Sequence, residues 1–107
     1  MSLQIQLLNE IDIIILYAIL LKRSNKSTVK EIKLIIEDFY PKLYNKPVPS
    51  YTYFYQRTTR LRELFFLEKQ GGRTYRIKRE YYAEIKEYVL IFIKTRFGIK
   101  DNERDNR

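Results

Sequence analysis

The sequence predicts a mainly α-helical chain with one small β-hairpin, in the order helix, helix, helix, hairpin, helix. Two observations predict this class. Apolar residues recur at helical spacing through most of the chain, and between Phe66 and Lys78 that period gives way to alternation on either side of Gly71-Gly72. A third bounds it: 107 residues, 45% hydrophobic and 15% aromatic, suffice for one core and one domain, here placed at residues 1–100, with a charged flexible tail at 101–107.

The first helix is expected over about Gln6 to Arg23. Leu8, Ile11, Ile15, Ala18 and Ile19 make one stripe, and Ile14, Tyr17 and Leu21 make a second, so the helix has two sides to bury. One side suits its own domain, the other a second chain or the C-terminal helix. A second helix starts at Thr28, where Thr28-x-x-Glu31 fits a capping box. Its stripe is Ile32, Ile35, Ile36, Phe39 and Leu43, and Pro41 with the loop 44–49 marks its end.

Ser50 caps the third helix, expected over 51–64. At 100° per residue Phe54, Thr58, Leu61 and Phe65 share one face. The opposite face carries Thr52, Gln56, Thr59 and Arg60, with Tyr53 and Tyr55 at its edges. The Gly71-Gly72 turn then joins two short strands, in the second of which Tyr75 and Ile77 point inward while Thr74, Arg76 and Lys78 point outward. The last helix is expected from Arg79 or Glu80 to Phe97, with Gly98 as its C-cap. Tyr82, Ile85, Val89, Phe92 and Ile93 form one face, and Tyr81, Tyr88, Leu90 and Ile91 widen it enough to make this helix a candidate dimer surface.

Charge is unevenly placed. The chain carries a net +8, and residues 51–79 alone hold eight Lys/Arg against two acids, whereas residues 80–107 are neutral. A basic helix followed by a basic hairpin is the electrostatic footprint of a nucleic-acid binder. With no cysteine and no histidine, disulfides, thiolate metal sites and the usual acid-base repertoire are missing, so neither an enzyme nor a bound metal or cofactor is expected. Glu37 and Asp38 are adjacent and diverge on a helix. The longest apolar run, Ile13 to Leu21, is far shorter than the roughly 20 residues of a membrane span. Acidic Glu10 and Asp12 stand where a secretory leader would be basic, so a cytoplasmic protein is expected. The abundance of Ile, Lys, Glu and Tyr fits a thermophilic or AT-rich source.

The spacing Phe54-x-x-x-Thr58-x-x-Leu61-x-x-Leu64-x-Phe66-Leu67, then the glycine turn and Arg73-Thr74-Tyr75-Arg76-Ile77, resembles the winged helix-turn-helix of MarR- and PadR-like transcriptional regulators. Tyr55 falls where PadR-like proteins often carry a tyrosine. The resemblance covers roughly residues 8–95 and departs from the pattern at two positions: Phe65 replaces a glycine, and Thr58 an aliphatic residue. Small regulators of archaea and their viruses are similar in size and composition.

The resemblance implies a recognition helix in a major groove and a wing on the adjacent backbone or minor groove of double-stranded DNA. Thr52, Tyr55, Gln56, Thr59 and Arg60 would meet the groove, with Tyr51 and Tyr53 near its edge; Gln56 suits adenine, and Arg60 guanine or a phosphate. On the wing Arg73 would lead, with Lys69, Gln70 and Arg76 on phosphates. Arg57 and Arg62 are alternatively intramolecular, paired with Glu63 or with an acid on another helix. The apolar girth of the terminal helices points to a homodimer joined through the N- and C-terminal helices. The competing readings are an ordinary solvated helix face, and a winged-helix module for protein or RNA in which Tyr51, Tyr53 and Tyr55 stack on the partner.

Overall fold

In the computed structural model, which describes residues 3–98, a short 3-10 turn at Ile5–Leu7 precedes helix α1 (Glu10–Leu21). The start is fixed by a capping box that helical periodicity alone does not disclose. The Asp12 N–H donates to Asn9 Oδ1 and the Asn9 N–H donates to Asp12 Oδ2, each at 3.0 Å. These bonds satisfy free N–H groups of the first turn and set the start at Glu10 rather than the expected Gln6; at its other end α1 stops at Leu21, short of the expected Arg23.

Strand β1 (Lys26–Ser27) follows, then helix α2 (Val29–Tyr44). The expected capping box is present: the Glu31 N–H donates to Thr28 Oγ1 at 3.1 Å, and Glu31 Oε1 accepts from the Thr28 N–H at 3.0 Å. Pro41 does not end the helix. It lies in the last turn, where a missing N–H removes one bond near the end of the ladder, and α2 continues to Tyr44. Asn45, left-handed at φ 55°, closes α2 by donating its N–H to the Pro41 carbonyl at 2.8 Å. Val29, Ile32, Ile36 and Tyr40 are buried, while Ile35, Phe39 and Leu43 are only partly covered.

Helix α3 (Tyr51–Glu63) has Ser50 as its N-cap, with Oγ accepting from the Tyr53 N–H at 3.2 Å. Phe54, Thr58 and Leu61 are buried as expected, but Phe65 is not. The helix closes at Leu64 with the Phe66 N–H donating to the Leu61 carbonyl and the Phe65 N–H to the Arg62 carbonyl. This paired closure needs a left-handed residue at position 65, where φ is 70°. The turn swings Phe65 outward to 44% exposure and delivers Phe66 into the core at 0%.

Strands β2 (Leu67–Gln70) and β3 (Thr74–Ile77) form the expected hairpin, with Gly71 at φ 75° in its turn. The sheet has a third member: β1 pairs antiparallel with β3, Lys26 opposite Arg76 and Ser27 opposite Tyr75, giving the order β1-β3-β2. This pairing anchors the ribbon, which alone would be marginal. Tyr75 and Ile77 point into the core, as alternation predicts.

A 3-10 turn at Arg79–Tyr81 leads to helix α4 (Tyr82–Phe97), closed by left-handed Gly98. Its inner face is Ile85, Val89 and Ile93. Helix α1 is the axle of the domain, packed against α2, α3, α4 and the sheet. Ile13, Ile14, Ile15, Leu16, Ala18 and Ile19 are therefore all buried; of the second stripe, Ile14 is buried, Tyr17 packs edge-on against Phe39 of α2, and Leu21 stays 40% exposed. Of the two helices expected at a dimer interface, α1 keeps Leu21 exposed at its end and α4 keeps an open outer face. Among the described residues no helix is long and apolar enough to cross a membrane. The charged tail expected at 101–107 lies outside the described residues.

Candidate nucleic-acid interface

The position of α3 is set by one buried row and one ion pair. Phe54, Thr58 and Leu61 face the core, and beside them Arg57 reaches α1, donating from Nε to Asp12 Oδ1 at 2.9 Å and from Nη2 to Asp12 Oδ2 at 2.6 Å. Asp12 is 1% exposed, and its carboxylate also caps α1. The fork fits both oxygens at once, and the Asp12 carboxylate raises the Arg57 guanidinium pKa. Arg57 therefore locks α3 against α1 and is turned away from any ligand. This is the acid on another helix that the sequence left open.

With that row inward, helical geometry puts Thr52, Gln56, Arg60 and Glu63 on the outer crest of α3, all exposed, with Thr59 half-covered beside them. Tyr51 and Tyr55 line the edge toward the hairpin, each 50% exposed. They bound a groove of about 700 Å³ whose other walls are Lys69, Gly72 and Arg73 of the hairpin, Tyr75 at its floor, and Thr28, Val29 and Lys30 from the start of α2. Tyr53 lies on the opposite edge, in a separate depression with Asn9, Glu10, Tyr40, Tyr44 and Lys46. The expected site residues thus separate. Tyr51, Tyr55, Lys69 and Arg73 converge on the groove, Thr52, Gln56, Thr59 and Arg60 adjoin it on the crest, and Tyr53 faces elsewhere.

Ion pairing sorts the cations into two sets. Lys22 holds Glu31 at 3.1 Å, Arg76 holds Glu68 at 2.7 Å across the hairpin, and Arg96 lies 3.4 Å from Glu10. By contrast, Lys30, Arg60, Lys69 and Arg73 have no carboxylate within 4.0 Å among the described residues, and the groove lining contains no acid. Lys69 instead sits 5.8 Å from the centre of the Tyr75 ring. Arg76, expected on a phosphate, spends its guanidinium on Glu68. Gln70 is exposed at the end of β2, opposite Thr74.

Lys30 is the groove-lining cation that sequence reasoning missed. It belongs to the first turn of α2, and only the β1-β3 pairing brings that turn alongside the hairpin. The available signal was the Thr28 capping box, which fixes Lys30 two residues into the helix. Glu31 in the same turn is held ionised: the Thr28 N–H and then the Lys22 ammonium lower its pKa. It faces Lys22 and leaves the groove's positive charge intact.

Comparison of the chain with family models, with curated proteins and with solved structures gives no match. The likeness to MarR- and PadR-like regulators accordingly rests on the quoted residues alone. Among the described residues no group of three or more acidic side chains is placed to hold a metal ion.

Proposed function

We propose that this chain is a sequence-specific double-stranded DNA-binding protein of the winged-helix kind, acting as a dimeric transcriptional regulator without enzymatic activity. One observation carries the reading. Three cations without carboxylate partners, Lys30 on α2 and Lys69 and Arg73 on the hairpin, line one groove that carries no acid, with Arg60 on the adjoining crest of α3, while Arg57 and Arg76 are neutralised within the chain. Unpaired cations along a concave edge attract a phosphate backbone, and the crest beside them offers donors and acceptors suited to base edges. In this reading α3 enters the major groove with Thr52, Gln56, Thr59 and Arg60, the hairpin is the wing, and Arg73, Lys69 and Lys30 take phosphates.

A second reading has its own observation. Tyr51, Tyr55 and Tyr75 line the same groove as Lys30, Lys69 and Arg73, and aromatic rings among cations also suit unpaired bases of RNA or single-stranded DNA.

The test is binding to random-sequence pools of duplex DNA, single-stranded DNA and RNA, with Arg60→Ala and Arg73→Ala beside the parent chain. The proposal expects selection of a defined duplex, with affinity reduced about tenfold or more by each substitution while the circular dichroism spectrum is unchanged. Equal affinity of both variants for the selected duplex would overturn it. Preferential enrichment of single strands would transfer the groove to the second reading.

A further inference from the structure

The outer face of α4 is a repeating stripe that the fold leaves uncovered. With Ile85, Val89 and Ile93 inward, the positions pointing most directly outward are Glu84, Glu87, Ile91 and Lys94. Three and four residues apart, they lie in one line along the helix, a single isoleucine among three charges. Ile91 is 58% exposed, the most exposed large hydrophobic side chain among the described residues. Neither Glu87 nor Lys94 has an ion-pair partner within the chain among the described residues.

The charges on this stripe complement a second copy in one orientation only. We infer that α4 pairs antiparallel with α4 of a second copy, Ile91 packing on Ile91 near the two-fold axis and Glu87 of each chain meeting Lys94 of the other. Glu87 lies four residues before Ile91 and Lys94 three after it, so at 1.5 Å rise per residue they stand about 6 Å and about 4.5 Å from the axis on opposite sides. In an antiparallel pair these heights nearly coincide, and two ion pairs flank the isoleucine contact. A parallel pair at the same register would set Glu87 against Glu87 and Lys94 against Lys94. The face is isologous, as a closed dimer requires.

One helix face with a single large apolar anchor makes a small interface, so association belongs in the micromolar range, and two adjoining sites on DNA would reinforce it. The inference specifies the dimer of the proposed function but does not depend on DNA binding. Because mass is measured on the free protein, failure of one reading is distinguishable from failure of the other.

The full chain, 13.1 kDa as a monomer, should approach twice that mass in sedimentation velocity as its concentration rises through the micromolar range at low salt. By symmetry each single reversal, Glu87→Lys or Lys94→Glu, replaces two attractive pairs with two repulsive ones and should raise the dissociation constant about tenfold. The double reversal should restore it to within about threefold. Orientation has its own readout, because the chain contains no cysteine. Ile91→Cys should give a disulfide-linked dimer on mild oxidation, whereas Glu87→Cys should not, since its two sulfur-bearing residues would stand about 12 Å apart along the axis, beyond the roughly 7 Å a disulfide spans. A monomeric parent chain throughout the micromolar range, no recovery in the double reversal, or equal cross-linking by both cysteine variants would each overturn the inference.

Discussion

Phe65 holds φ at 70°, a left-handed conformation that costs a residue with a Cβ about 1 kcal/mol, at the position where winged-helix regulators carry glycine. The helix needs that turn to end where it does, and the Phe65 ring, 5.8 Å from Lys78 Nζ, recovers part of the cost by lying over the hairpin's exit. Comparing two small substitutes isolates the backbone contribution, because both lose the ring and only one loses the strain. Phe65→Gly should be more stable than Phe65→Ala by about 1 kcal/mol in urea unfolding, the reverse of their order inside a helix. Equal stability would mean that residue 65 is not left-handed. Thr58 is the other departure from the regulator pattern, and its Oγ1 is buried with no hydrogen-bond partner among the described residues. Thr58→Val keeps the shape and removes the stranded hydroxyl. A gain of about 1 kcal/mol is expected, read as a raised urea midpoint at unchanged slope.

At the scale of elements, the start of α2 joins stability to the proposed groove, because the turn that Glu31 caps also presents Lys30. Glu31 has a folded pKa below its ordinary value of 4.5, chiefly through the Thr28 N–H and then Lys22. A depressed carboxylate contributes stability that is present above its unfolded pKa and is lost as pH falls through its folded pKa. Glu31→Gln should therefore be less stable than the parent chain at pH 7, and the difference should close as pH falls through the lowered pKa of Glu31. The side chain is 46% exposed, so solvent screening keeps the effect small; urea midpoints at pH 7 and pH 3 would resolve it. The same element marks how far the sequence was legible. The capping box could be read because both its members lie in one turn. Strand β1 could not, since two residues carry no period and gain their place only by pairing with β3, some fifty positions later. Phe65 was assigned to the core by extending a helical wheel past the point where the helix stops, and Lys30 was passed over because a groove built from three elements has no signature in any one of them. Arg57 was legible in kind, as a cation able to choose an acid on another helix, but naming Asp12 required the crossing of α1 and α3.

For the whole molecule, the net charge of +8 is less informative than its division into paired and unpaired cations, and salt dependence of binding measures that division directly. Each phosphate neutralised on duplex DNA releases counterions, and log affinity falls against log salt with a slope of about −0.9 per contact. A cation already held by a carboxylate of its own chain adds little to that slope, and one without a carboxylate adds its full share. Arg73→Ala should therefore flatten the slope, whereas Arg76→Ala, which removes a guanidinium committed to Glu68, should leave it nearly unchanged. The size of the Arg73 effect also counts subunits. If one protomer binds, the slope should change by about 0.9; if a dimer presents two equivalent wings, it should change by about 1.8. Titrations of the selected duplex at several salt concentrations between 50 and 200 mM, roughly the range over which such slopes are linear, would separate these values. Equal flattening by Arg73→Ala and Arg76→Ala would show that pairing within the chain does not select the DNA-facing cations. A change near 0.9 together with a monomeric mass would leave the groove reading intact and remove the two-fold arrangement built on α4.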